Sequence, residues 1–200
     1  MPQADGTVLY GNEWINYQQS YFRINVAEDG IYRLSRLELE AAGVFNGTDV
    51  PVGSQLQLFH MGKSVPLYVS TTENLETDDF IEFYGEKNTG AFDKYLYVEP
   101  EFQVNPAYSL FTDTAAYYLT WQALDNNVRF QAVNNSLNDL PPKENSCLET
   151  LDFVFNDNYS NGQASNSSSI QCRYVQAEGY TSRVDSVQTI NFNTPQAIQN

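Results

Sequence analysis

The sequence predicts an all-β fold, an antiparallel β-sandwich with one short helix, on three observations. Apolar residues alternate with polar ones over short runs instead of recurring at helical spacing. From Asp78 to Trp121, Phe, Tyr and Trp stand singly or in pairs between Asp, Glu, Asn and Gly, the texture of short strands joined by turns. Helix signals gather in one place only, from Ser35 to Gly43. With 200 residues, the chain is long enough to hide about 70% of its unfolded surface in one large β domain or two small ones.

The elements follow in order. Tyr21 to Val26 alternates, with Phe22, Ile24 and Val26 on one face. Glu28-Asp29-Gly30 supplies a turn, and Ile31 to Leu34 returns, which predicts a hairpin. Ser35 and Glu38 have the spacing of a capping box. Leu37, Leu39, Ala41 and Ala42 then favour a helix of about two turns that Gly43 ends. Gln55 to His60 alternates again, Gly62-Lys63 reads as a tight turn, and Val65 to Val69 returns as an edge strand because of Pro66. Phe80 to Tyr84, closed by Gly85, and Ala116 to Trp121 are two further strands. Residues 1–135 are thus expected to form the N-terminal sandwich core. The polar stretch from Asn134 to Ser146, with Pro141-Pro142, reads as a linker. Residues 136–200 carry the rest, as part of the same domain or the start of a second β subdomain: strands at Leu151 to Phe155, Cys172 to Gln176 and Val187 to Phe192, with an Asn- and Ser-rich loop from Asn156 to Ser169.

Charge narrows the function. The chain carries 25 Asp and Glu against 10 Lys and Arg, a formal net charge of −15. Nothing here could neutralise a run of phosphates, so nucleic acid and anionic membrane surfaces are disfavoured partners. The sequence shows no apolar stretch long enough to insert in a membrane. It opens MPQADGTVLYGNEW, which reads as a start Met ahead of a mature secreted N-terminus. Cys147 and Cys172 are expected to form a disulfide closing a loop of roughly 25 residues, worth about 3 kcal/mol in the chain-entropy picture. Two buried thiols are the alternative.

Catalytic chemistry is poorly served. His60 is the single histidine. It shares a strand face with Leu56 and Leu58, which reads as a packed imidazole, not as half of a Cys-His dyad. Asp78 and Asp79 are adjacent, so in a strand they would point to opposite faces and could not flank a glycosidic bond together. They read as a solvated turn. Hard oxygen ligands from loops also suit calcium, and Asp78, Asp79 and Asp93 are the residues that would hold it. Trp14, Tyr17, Trp121 and Tyr180 could stack on sugar rings, although strand aromatics are more often core.

Four ordered segments carry a family resemblance: GNEWINYQQSYFRINVAEDGIYRLSRLELEAAGV (11–44), LQLFHMGKSVPLYV (56–69), DDFIEFYGEKNTGAFD (78–93) and NPAYSLFTDTAAYYLTW (105–121). Together they resemble the N-terminal region of gingipain-family cysteine peptidases of the Bacteroidetes, the type IX secretion sortases (PorU-like). The resemblance covers residues 8–121 well and the rest weakly. It implies a secreted or cell-surface, all-β prodomain that is itself not an enzyme and that packs on or restrains its own downstream peptidase domain. The catalytic Cys and His of the family lie further downstream, so Cys147, Cys172 and His60 inherit no catalytic role. A carbohydrate- or surface-binding module and a structural spacer are the alternative readings.

Overall fold

The computed structural model describes residues 11–45, 50–123, 127–134, 155–163, 172–182, 187 and 189. Among them the chain is mostly antiparallel strand, with one α-helix and three short 3₁₀ helices. Two compact units form. The described residues within 1–88 and 112–148 make the first, and those within 89–111 and 149–200 the second. This differs from the linear division expected at 135/136, because 89–111 joins the C-terminal part. Within the first unit the chain on either side of 89–111 is joined: Asn88 N donates to Asp113 O at 2.8 Å and Asn88 Nδ2 to Thr112 O at 2.7 Å.

The first unit is the sandwich. One sheet has the order β1 (Phe22–Val26), β7 (Ala115–Trp121), β3 (Leu56–His60), β4 (Lys63–Val65). The other has the order β2 (Gly30–Ser35), β6 (Phe80–Gly85), β5 (Tyr68–Val69). Alternation decides which face is buried. Val26, Leu58, Tyr117 and Leu119 of the first sheet and Ile81 and Phe83 of the second share one core. The Phe83 and Tyr117 rings meet across it at 5.3 Å. Each such side chain, fully withdrawn from water, contributes about 1.5–3 kcal/mol of transfer free energy.

The helix α1 (Arg36–Ala41) forms as its caps dictate. Ser35 Oγ accepts from Glu38 N, and the Glu38 carboxylate accepts from Ser35 N. Gly43 takes a φ of 76°, its N–H bonds Glu40 O, and Val44 N bonds Leu39 O. That pair of bonds is a Schellman ending, with Leu39 and Val44 as its apolar contact in the core.

Three strand expectations are corrected. β1 and β2 are not a hairpin: β1 pairs with β7 and β2 with β6. Residues 27–29 step between layers, so the apolar sides of β1 and β2 face one core from opposite sheets. The Tyr32 hydroxyl holds that step, donating to Glu28 O at 2.9 Å, while Asp29 Oδ1 accepts from Lys87 N at 2.8 Å. The β3–β4 turn centres on Met61 and Gly62, not Gly62-Lys63, because His60 pairs with Lys63. Both central residues have positive φ, 49° and 76°, the type I′ geometry that matches strand twist. The run from Val65 to Val69 is two edge strands: with no N–H at Pro66 the first ladder stops, and the chain crosses to the second sheet through the buried Leu67.

The second unit builds on the 3₁₀ helix Gly90–Leu96 and on the pair β8 (Asn158–Asn161) and β9 (Glu178–Thr181). β8 lies inside the stretch expected to be a loop. Its backbone pairs with β9, and Tyr159 sits opposite Tyr180 with rings edge-on at 5.3 Å, which gives a polar strand an apolar anchor. The strand expected over Cys172 to Gln176 is displaced to β9. Only Tyr174 there makes a bridge, to Tyr97, and a turn with Ala177 at a φ of 63° precedes the ladder. Of the strand expected at Leu151 to Phe155, Phe155 is the described residue and belongs to no strand. The linker beyond Asn134 and, apart from residues 187 and 189, the strand at Val187 to Phe192 lie outside the described residues.

Candidate functional site

His60 is placed as a packed ring. It stacks on Tyr117 at 4.2 Å with 9° between planes, and its Nδ1 lies 3.0 Å from Ala116 O. Cys172 is exposed in the second unit. Cys147, and with it the expected disulfide, lies outside the described residues.

The three candidate calcium ligands do different work. Asp79 organises the turn into β6: Oδ1 accepts from Ser70 Oγ at 2.6 Å and Oδ2 from Glu76 N at 2.7 Å. Those bonds, Ser70 first, hold its carboxyl below the usual aspartate range. Asp78 is exposed beside it. Asp93 is buried in the second unit, where Oδ2 accepts from Leu110 N at 2.7 Å. Among the described residues no group of three or more His, Cys, Asp or Glu could hold a metal ion.

The candidate stacking residues are engaged by other rings. Trp14 packs on Tyr21, Phe59 and Tyr118 at 5.4, 5.2 and 5.8 Å, over the outer side of β3 and β7. Trp121 lies parallel to Phe22 at 5.6 Å and edge-on to Phe45. Tyr180 sits edge-on between Tyr108 and Tyr159. Tyr17 is exposed, with its hydroxyl accepting from Asn12 Nδ2.

Arg129 has a structural role with no signal in its sequence context. It lies in a segment that pairs with the crossover: Leu67 N donates to Val128 O and Phe130 N to Leu67 O. Its Nη2 donates to Gly53 O, Ser54 O and Leu56 O at 3.0, 2.9 and 2.9 Å. These carbonyls leave the 3₁₀ turn Gly53–Gln55, so a planar guanidinium caps a helix end. Burial lowers its pKa, and among the described residues no carboxylate pairs with it.

The strongest candidate for an external contact is the outer face of the β2–β6–β5 sheet. Ile31 opposes Tyr84, Arg33 opposes Glu82, and Tyr68 opposes Glu82 from the other side. Arg33 Nε meets Glu82 Oε1 at 2.7 Å, and the Arg33 guanidinium lies 4.1 Å from the Phe80 ring centroid. Tyr68 packs on Phe80 at 5.9 Å. The result is a sheet face with an internally neutralised centre, yet Ile31, Tyr84 and Tyr68 remain 65%, 47% and 45% exposed. The sequence held the signal for it. β6 is apolar on both sides, with Ile81 and Phe83 inward and Phe80 and Tyr84 outward. A strand covered on one side only alternates apolar with polar.

No helix among the described residues is long and apolar enough to cross a membrane. Comparison of the chain with protein-family models, with curated proteins and with solved structures found no match.

Proposed function

We propose that this chain is a non-catalytic accessory or prodomain of a secreted gingipain-like cysteine peptidase of the type IX secretion sortase kind, which packs on and restrains its downstream catalytic domain. The observation that carries the reading is the exposed outer face of the β2–β6–β5 sheet. Ile31 and Tyr84 form an apolar cross-strand pair directed at solvent, and large apolar side chains grouped on one face mark an interaction surface. The family resemblance supplies the partner. The fold is consistent with it: a rigid sandwich presents a preformed face, which lowers the ordering cost of binding. The test is to mix the purified chain with the catalytic region of its own polypeptide and to measure binding by calorimetry and peptidase activity on a fluorogenic substrate. Binding with reduced activity is expected. Absence of binding sinks the reading, and binding without inhibition reduces it to a supporting role.

A carbohydrate-binding reading rests on a separate feature of the same face, the Tyr68, Phe80 and Tyr84 rings, since aromatic faces accept the apolar sides of sugars. Retention on insoluble polysaccharide that Tyr84→Ala abolishes would favour it over the peptidase contact.

A further inference from the structure

The charges around the β2–β6–β5 face say what kind of surface covers it. Because Gly30 pairs with Gly85, the residues before β2 and after β6 lie at one end of the sheet. Glu28, Asp29 and Glu86 are exposed there, against Lys87 alone. At the opposite end Glu76 and Asp78 are exposed ahead of β6, and the stretch 70–82 has no Lys or Arg; Arg36, which follows β2 at this end, is paired with Glu40 at 2.9 Å. The centre is neutral, since Arg33 is spent on Glu82 and on the Phe80 ring. A neutral centre, apolar around the Arg33–Glu82 pair, lies between two acidic ends and complements one kind of partner.

We infer that the surface docking on this face is a protein surface with an apolar centre and lysine or arginine at both ends. This rests on the docking reading above and adds its chemistry. A second copy of the chain does not fit, because it would bring acidic ends against acidic ends in a chain of net charge −15. Like charges placed together across an interface oppose association, and complementary ones steer it and fix its register. Asp79 is not counted in the rim, because both its oxygens are taken by Ser70 and Glu76. Asp29 is left out of the variants below because it accepts from Lys87 N.

The experiment uses the whole chain, isotope-labelled, and two probe peptides, one of alternating lysine and leucine and one of alternating glutamate and leucine. Amide chemical shifts locate each contact. The lysine peptide is expected to perturb residues 31–33, 68 and 80–84, and to lose about tenfold or more in affinity between low salt and roughly 0.5 M salt, where screening falls to a few ångströms. The glutamate peptide is expected to leave those residues unmoved. A combined Glu28→Gln, Glu76→Gln, Asp78→Asn, Glu86→Gln variant, altered only at exposed sites, should lose about tenfold at low salt and little at high salt. Ile31→Asp should lose binding at both. Shifts outside this face, equal binding of the two peptides, or wild-type affinity in the fourfold variant would overturn the inference. The outcomes separate the two proposals. If the lysine peptide docks but the catalytic region does not, the peptidase is not the partner and the cation-rimmed chemistry stands. If the catalytic region binds and Ile31→Asp abolishes it while the fourfold variant does not, the face is right and the rim inference fails.

Discussion

Replacing Arg129 should loosen the first unit at one identifiable seam. Its Nη2 reaches three carbonyl oxygens, Gly53, Ser54 and Leu56, at 2.9–3.0 Å, and Nη1 reaches Val128 O at 3.1 Å. A hydrogen bond to a charged group contributes about 1.5–3 kcal/mol when well buried. Here two N–H groups serve three acceptors and the site is half-exposed, so the lower end applies, and Arg129→Ala should cost roughly 3 kcal/mol. Arg129→Lys keeps the charge without the planar fork and should recover about 1 kcal/mol of that. Both tryptophans of the chain, Trp14 and Trp121, are in the first unit, so tryptophan fluorescence during urea unfolding reads this unit alone. The midpoint should fall with little change in slope. Amide exchange places the loss: Leu67 and Phe130, whose N–H groups bond across the seam, should lose protection in the alanine variant before Ile81 does. A stability within about 0.5 kcal/mol of wild type, the range of ordinary surface substitutions, would refute the clamp.

Three further perturbations test other joints. Gly53→Ala would drive a Cβ into the Thr71 carbonyl oxygen, backbone that cannot rotate away, and should cost about 1–3 kcal/mol by the same fluorescence readout; wild-type stability would mean that the backbone of residues 70–73 yields freely. Asp79 titrates below its ordinary value of 3.8 because of Ser70 and Glu76, so its contribution is complete above that value and is lost as pH falls through the lowered one. Asp79→Asn should therefore melt below wild type at pH 7, with the gap closing only below about pH 4; a gap that persists unchanged into strong acid would contradict the assignment. Burial, with Glu178 adding to it, pushes the Tyr159 phenol up to about 12. Its stabilising neutral form is complete below 10.0, the ordinary value, and is lost as pH rises through about 12. Phenolate absorbance should show a late-ionising tyrosine disappear in Tyr159→Phe, and an unchanged titration curve would count against that environment.

What the sequence made legible was local. The capping box needs only Ser35 and Glu38 at the right spacing, and Gly43 needs only its freedom at positive φ, so both are found as expected. Alternation places Phe22, Ile24 and Val26 on one face of β1, and Leu56 and Leu58 on one face of β3. What stayed hidden was pairing. Glu28-Asp29-Gly30 has hairpin composition, but a hairpin and a layer crossing differ only in what each strand finds to pair with. β7 and β6, more than 40 residues further along the chain, supply those partners. Asn158–Asn161 was masked by the opposite effect: polar composition disfavours a strand, and the pairing with Tyr180 overrides it.

The candidate site was missed for a related reason. Chemistry is legible in a sequence where residues cluster along the chain, as Asp78 and Asp79 do, and Trp14 and Trp121 can stack on sugars, although strand aromatics are more often core. In the structure the tryptophans are spent on packing, and the exposed apolar pair is Ile31 with Tyr84, 53 positions apart and joined only by register. The one local sign was excess: β6 carries apolar residues on both sides, one side more than the core consumes. A sandwich of two sheets needs a single apolar face from each. On the second apolar face of β6, Phe80 is half-buried against Tyr68 and Arg33, while Tyr84 stays 47% exposed beside Ile31, and that exposed apolar surface has a cost in water. The proposed partner would cover that surplus. The outer face of β6, and not the acidic turn in front of it, is therefore the place where this chain's function should first be sought.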